Sequence, residues 1–463
     1  MSLTVLFSAT FMSLSSTRLM AVRALITSVP DTALNSLNYA LGQSGDTLFQ
    51  VISELVIEEI RHRKIRDLVF EAFVPLFSAR DDGIPSVVFS KFAYRELWTA
   101  LLVQEPELCQ EALLNLNLDS ERRPEDAVPT VFFRLVTASA RLTRDVPDQV
   151  FVRSGLTREQ TAELAAYLDL NRIARRALSR MPDWLGRIDA ERSAALRVLF
   201  KDACDLHPSS GKRLLELMFS HLKDPLQIMK LVVTVSDRAS ERFLIDSELA
   251  DFGTRLLDYC EASLKPLEKR DSELHKGDTR KACEQIARMS GLLSGFDQYV
   301  ELSKDGPWGK AVGDMRKRLS GLVEGRLKGV ESAIHAALPT TSTRLTAKVR
   351  KSVPKINGLP DPEKQISALS MAAFLKETRS LAANNGFGSL HSSIHREQKE
   401  WLREYADELV SHINSGDIKD EEAGKAHLEV AADILDAMDE TTEAALVRRR
   451  AAAAGTRNGA DLA

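Results

Sequence analysis

The stretch 279-TRKACEQIARMSGLLSGFDQYV-300, the turn 301-ELSKDGPWGK-310 and the return 311-AVGDMRKRLSGLVEGRLKGVESAIHAAL-338 together decide the fold. Ile286, Met289, Leu293, Phe296 and Val300 recur at spacings of 3, 4, 3 and 4. That period draws one apolar stripe on a helix and has the form of a coiled-coil seam. Lys304-Asp305-Gly306-Pro307 supplies a break. Val312, Met315, Leu319, Val323, Leu327, Val330, Ile334 and Leu338 then carry the helical stripe back. The spacing predicts a long antiparallel helical hairpin over residues 273–338.

The same stretch holds glycines in rows. Gly291 and Gly295 lie four apart, and so do Gly321, Gly325 and Gly329, with Ala333 and Ala337 continuing the row. An interior helical glycine costs about 1 kcal/mol relative to alanine. The regular row therefore predicts a helix-packing ridge where another backbone approaches closely. A helix softened so that it bends on binding is the alternative.

Upstream, punctuation of the same kind repeats. Pro30-Asp31 precedes Leu34, Leu37 and Leu41, with Gly42 after them. This is a start signal, a stripe and a stop signal. Thr157 and Gln160 have the form of a capping box. Leu249, Phe252, Leu256, Cys260 and Leu264 again fall at spacings of three and four. No apolar–polar alternation bounded by turns stands out, and no fixed repeat period recurs. Residues 30–272 are expected to form an irregular helical array, either solenoid-like or a multi-helix bundle. Residues 1–29 are expected to be a leader, disordered or preceding a start at Met20.

Downstream, prolines and threonines mark residues 339–362 as a basic, proline-containing linker. Arg344, Lys348, Arg350, Lys351 and Lys355 make it the candidate contact for an anionic partner. Helical stripes at Ile366–Phe374, Trp401–Ile413 and Leu428–Met438 predict a small C-terminal helical bundle over 363–447. Residues 448–463 are expected to be a disordered tail. The fold class is all-α.

The totals agree with this. A chain of 463 residues exceeds one ordinary core and suggests two or three units. The net charge of −4 lacks the basic excess of a dedicated nucleic-acid binder. Cys109, Cys204, Cys260 and Cys283 lie far apart, which removes zinc-ribbon and disulfide-scaffold readings and leaves structural thiols. No run approaches the roughly 20 apolar residues of a transmembrane segment. A cytoplasmic protein is expected.

Two motifs come near chemistry. His391 and His395, at i and i+4, put two imidazoles on one helical face and are the candidate metal ligands. Ser392 stands where a zinc protease carries its glutamate, so a solvated pair is the preferred reading. Ser209-Ser210-Gly211-Lys212-Arg213 lacks the glycine and hydroxyl spacing of a phosphate loop and reads as a helix cap. The cations of 61-RHRK-64 and Arg66 read as a solvated helix face, because Glu58, Glu59 and Asp67 flank them. No nucleophile elbow, dinucleotide fingerprint or family signature is legible. No cofactor is implied. The expected function is a non-catalytic scaffold that binds a protein partner through helical grooves, with self-association as one form of that binding. The alternatives are an all-α enzyme or metal protein built on His391 and His395, and a nucleic-acid-associated protein built on the basic linker.

Overall fold

The computed structural model describes residues 16–43, 47–115, 128–269, 279–344, 350–382 and 386–455. Its helices, in chain order, are α1 (Ser16–Ser28), α2 (Asp31–Gly42), α3 (Thr47–Val69), α4 (Lys91–Gln104), α5 (Pro106–Leu114), α6 (Thr130–Asp145) and α7 (Pro147–Val150). Then come α8 (Arg158–Asp169), α9 (Asn171–Leu185), α10 (Ala190–Leu206), α11 (Ser210–His221), α12 (Gln227–Ser236), α13 (Glu241–Ile245) and α14 (Ala250–Lys269). The long helices α15 (Thr279–Tyr299) and α16 (Pro307–Ala337) lead into two short strands, β1 (Thr340–Arg344) and β2 (Arg350–Pro354). The chain ends in α17 (Pro362–Glu377), α18 (Arg379–Ala382), α19 (Gly388–Ser415), α20 (Glu421–Ala437) and α21 (Thr441–Ala453). The protein is all-α, with one two-stranded ribbon.

The chain divides into two compact units, residues 1–237 and 238–463. The division falls after α12, ahead of the polar break expected at 272. In the first unit, α6 carries a buried face of Val131, Phe132, Leu135, Val136 and Leu142. It packs chiefly on α8. Thr157 Oγ1 accepts from the Gln160 amide at 3.2 Å and Gln160 Oε1 accepts from the Thr157 amide at 3.0 Å, which is the capping box read from the sequence. At the start of the unit, Ile26, Leu34, Leu41, Leu55 and Val56 form a separate apolar cluster of α1, α2 and α3. α1 is thus part of a core. The expected leader does not extend over residues 16–28, because Ile26 of that helix is buried in the cluster.

In the second unit every residue of both predicted stripes is buried, from Ile286 to Val300 and from Val312 to Leu338. α16 packs more extensively against α17 than against α15, and it also meets α14 and α19. Its stripe is thus covered largely by elements outside the hairpin. The turn before α16 is held by Glu241, which is 1 % exposed. Its carboxylate accepts from the backbone amides of Ser303 at 2.6 Å, Trp308 at 2.7 Å and Gly309 at 3.2 Å. The Trp308 and Gly309 amides are donors that a helix N-terminus leaves without internal partners, and a carboxylate also suits the helix dipole there. A Cβ on Gly306 would collide with this carboxylate, and one on Gly309 with the Ser303 carbonyl.

The expected linker is in part a β-ribbon. β1 and β2 pair antiparallel, Thr340 opposite Pro354 through Arg344 opposite Arg350. β2 packs against α19. The expected tail is in part the helix α21, which packs along α20. Arg448 lies on it and pairs with Glu429 at 2.6 Å, Asp433 at 2.7 Å and Asp436 at 2.6 Å.

Candidate functional site

Several buried or half-buried cations among the described residues end on helix carboxyl termini. The last four carbonyls of a helix have no partner within it, and the helix dipole makes that end negative. Arg63 on α3 donates to the carbonyls of Val29 at 2.8 Å, Ile26 at 3.2 Å and Thr27 at 3.1 Å, closing α1. Arg175 on α9 donates to Leu68 at 2.9 Å and Val69 at 2.6 Å, closing α3. Burial pulls its guanidinium below the ordinary arginine value. Arg80 closes α11 through the carbonyls of Phe219 and Leu222. Lys230 closes α9 through Leu185 and Gly186. In the second unit Arg326 on α16 reaches the Leu267 carbonyl of α14 at 3.1 Å.

The histidine pair does the same work. His391 is buried, and its Nε2 lies 2.7 Å from the Leu375 carbonyl near the end of α17. His395 Nε2 lies 3.4 Å from the Met438 carbonyl just past α20. The rings stack at 6.4 Å, as the i, i+4 spacing predicts. In each ring the nitrogen that faces a carbonyl donates its proton there, which leaves Nδ1 with the lone pair. Among the described residues no group of three His, Cys, Asp or Glu side chains is placed to hold an ion. The preferred reading of a solvated pair also needs correcting, since His391 is buried.

Other sequence expectations are relocated as well. Arg63 and Arg66 are buried and do not form a solvated face. Arg66 lies over the Tyr94 ring at 4.6 Å and pairs with Asp67. Ser209 makes no side-chain cap to α11. Its Oγ accepts from Arg213 at 2.7 Å. None of the four cysteines is in a disulfide. Burial pushes the thiols of Cys260 and Cys283 up to about 12, which keeps them protonated and inert.

The glycine ridge does not pack as expected at three of its five positions. A Cβ at Gly291, Gly321 or Gly325 would meet nothing within 4 Å, because these residues face outward. At Gly329 it would come 3.3 Å from Met371 Cε, and Gly295 is buried. Of the basic contact residues, Arg344, Arg350 and Lys351 hold strand positions and Lys355 is exposed. Lys348 lies outside the described residues.

One concave feature among the described residues lies in the first unit. A cleft of about 350 Å³ lies between α2 and α3, with Leu34, Ile60 and Leu68 among its apolar lining. Its α3 wall follows one helical face through Ile60, Lys64 and Asp67, and Glu71 continues it just past the helix end. From Ile60 to the end of α3 at Val69 this is about 14 Å of helix at 1.5 Å per residue. On the α2 wall, Asp31 and Asn35 lie four apart, and the same spacing leads on to Tyr39, which is 74 % exposed. On α3 the spacing leads back to the exposed Ile57. Asp31 is neutralised by Arg63. Asp67 accepts from Tyr94 Oη at 2.7 Å, and Glu71 lies 3.8 Å from Arg175. The site can thus offer an aliphatic floor and a rim of one lysine and two carboxylates. Its lining holds no nucleophile–base pair among the described residues. The sequence showed both helices, but the groove arises from their pairing and could not be read from either one alone.

No family model, no curated protein and no solved structure matches this chain.

Proposed function

We propose that this protein is a non-catalytic interaction protein whose α2–α3 groove receives an amphipathic helical segment of a protein partner. The observation that supports this reading most directly is the groove itself. It has an aliphatic floor, charged walls and exposed Tyr39 and Ile57 where the walls continue. An amphipathic helix meets such a groove with residues spaced i, i+3, i+4 and i+7. A helical wall about 14 Å long suits two to three turns of it. A cation on the partner would face Asp67 and Glu71. Arg63, Arg175, Arg326 and the histidine pair support a non-catalytic role, because they are occupied in closing helix ends.

The test is affinity capture of the full chain from its native host, set beside a Tyr39→Glu/Ile57→Glu variant. Both positions are exposed, so the melting temperature should stay within about 2 °C of the parent. A stoichiometric partner held by the parent and lost by the variant supports the groove. A partner retained equally by both, or a chain recovered alone that turns over a substrate, overturns it. Light scattering on the same two proteins separates a second copy of this chain from a foreign partner.

A further inference from the structure

Helix α4 carries an inference that the groove does not. Its inner face is a core face, with Ala93, Tyr94, Leu97, Trp98 and Leu101 buried. The outer face of such a helix is ordinarily polar. Here, at 3.6 residues per turn, Lys91, Phe92, Arg95, Thr99 and Val103 share an arc of about 120°. All five are exposed, Phe92 at 58 % and Val103 at 70 %. No other phenylalanine among the described residues is exposed as much. Glu96 brings a loop to the same face, since it lies one turn from both Phe92 and Thr99. Its carboxylate accepts from the backbone amides of Arg153 at 2.5 Å and Ser154 at 3.0 Å. Val152, 74 % exposed, and the exposed Arg153 are thereby held beside α4.

The cations of this patch are uncompensated. Lys91, Arg95 and Arg153 make no ion pair and no side-chain hydrogen bond among the described residues. Glu96, the carboxylate between them, is taken by the two amides. Asp148 on α7, which packs on α4, offsets one charge of the three. Arg158 and Glu159, beyond the loop, offset each other.

A single exposed apolar side chain needs no explanation. Three of them interleaved with three unpaired cations do. The cations call for an anionic partner, and the apolar side chains call for one with an apolar interior. A nucleic-acid backbone meets only the first demand. A protein partner receives apolar anchors in fitted pockets around a packed centre. Phe92 and Val103 instead stand about 16 Å apart on the helix, with Arg95 and Thr99 between them. A bilayer takes separate anchors without a matching shape. Its headgroup phosphates receive lysine and arginine, and the acyl chains just below receive phenylalanine and valine.

We propose that the outer face of α4, with the loop residues Val152 and Arg153, is a docking surface for anionic phospholipid bilayers. Lys91, Arg95 and Arg153 meet the headgroups, and Phe92, Val103 and Val152 enter beneath them. The contact stays at the bilayer surface; no helix among the described residues is long and apolar enough to cross a membrane. None of these residues lines the α2–α3 cleft, so the surface is independent of the groove.

The test is flotation of the full-length protein with vesicles of phosphatidylcholine containing about one third phosphatidylserine, set beside pure phosphatidylcholine. The protein should float with the mixed vesicles and not with the neutral ones, and added salt should release it. Each cation near an anionic surface strengthens partitioning about five-fold, so Lys91→Ala/Arg95→Ala/Arg153→Ala should weaken it about 100-fold. Alanine keeps the Arg153 backbone amide that Glu96 holds. Phe92→Ser/Val152→Ser should weaken partitioning about ten-fold and keep its salt dependence. Lys310→Ala/Lys317→Ala/Lys328→Ala removes the same charge from exposed positions of α16 and should leave partitioning unchanged. All the altered positions are exposed, so melting temperatures should stay within about 2 °C of the parent. No flotation with mixed vesicles, equal flotation with neutral ones, or parent-like partitioning of either patch variant would each overturn the proposal. So would an equal loss in the α16 variant, or tighter binding to polyglutamate or a DNA duplex than to the vesicles.

Discussion

At the residue scale, the same residue type does opposite jobs in this protein, and only its surroundings tell which. Gly211 and Gly253 are contact glycines: a Cβ there would come 2.5 Å from Cys204 Sγ and 2.6 Å from the Trp308 ring. Gly321 and Gly325 are mid-helix and open to solvent. Gly321→Ala and Gly325→Ala should each stabilise the fold by about 0.5–1 kcal/mol through helix propensity, while Gly211→Ala should destabilise it. Thermal melts of the single variants check both signs. The regular spacing of the row was legible. Its outward direction was not, because the stripe that buries α16 is offset from the glycines. Histidine shows the same dependence. Burial holds the imidazoles of His62, His335 and His391 below the ordinary histidine value. The unfolded chain takes up protons at these positions as the pH falls through about 6.5, while the folded chain resists them. Stability is therefore full above that pH. It declines as the pH falls toward the lowered folded values and levels off below them. The carboxylates held low, Glu261, Glu268 and Asp417, act at more acid pH. The melting temperature should thus be lower at pH 5.5 than at 7.5. His391→Gln keeps a donor for the Leu375 carbonyl but has no proton to gain, so it should lessen that drop. An equal drop in parent and variant would contradict the assignment.

At the element scale, helices with an apolar stripe could be read and elements without one could not. The stripes of α15 and α16 were visible because burial on one side imposes a period on the sequence. β1 has no apolar face, so period-two alternation was absent. Its only signal was a run of β-branched threonines, Thr340, Thr341 and Thr343. α21 was hidden for a related reason. Residues 448-RRRAAA-453 resemble a basic tail, although alanine favours helix. This segment becomes an element through a set of carboxylates, Glu429, Asp433 and Asp436, which share a face of α20 and meet Arg448. That pairing exists only once the two helices lie together. Reversing it with Arg448→Glu should loosen α21 specifically. Amides of residues 441–453 should exchange faster with deuterated solvent, and those of α16 should keep the parent rate. Uniform faster exchange across the second unit would mean that α21 is no separate element of stability.

At the scale of the whole molecule, the position of the division is set by which helices share a core. Residues 270–278 looked like a boundary because they are polar. Yet α14, just before them, buries Phe252, Leu256, Leu257, Cys260 and Leu264 and packs against α15 and α16. Gly253 is where the Trp308 ring closes on it. Arg318 on α16 also reaches back to Glu261 at 2.7 Å and Glu268 at 2.9 Å. α14 is therefore inseparable from α15 and α16. At the other end, α12 buries Ile228, Met229, Leu231 and Val232 and packs on α10 and α11 of the first unit. It stops at Asp237, whose backbone is left-handed at φ 55°. A positive φ at a non-glycine residue ends a helix and redirects the chain. A unit with its own apolar core can fold alone. Residues 1–237 and 238–463 expressed separately should each give a helical circular dichroism spectrum and a cooperative melt. A cut at 272 should behave differently. It leaves α14 without α15 and α16, strands six buried apolar side chains in water and should leave both fragments prone to aggregation. Equal behaviour of the two cuts would place the boundary at the polar residues 270–278 instead.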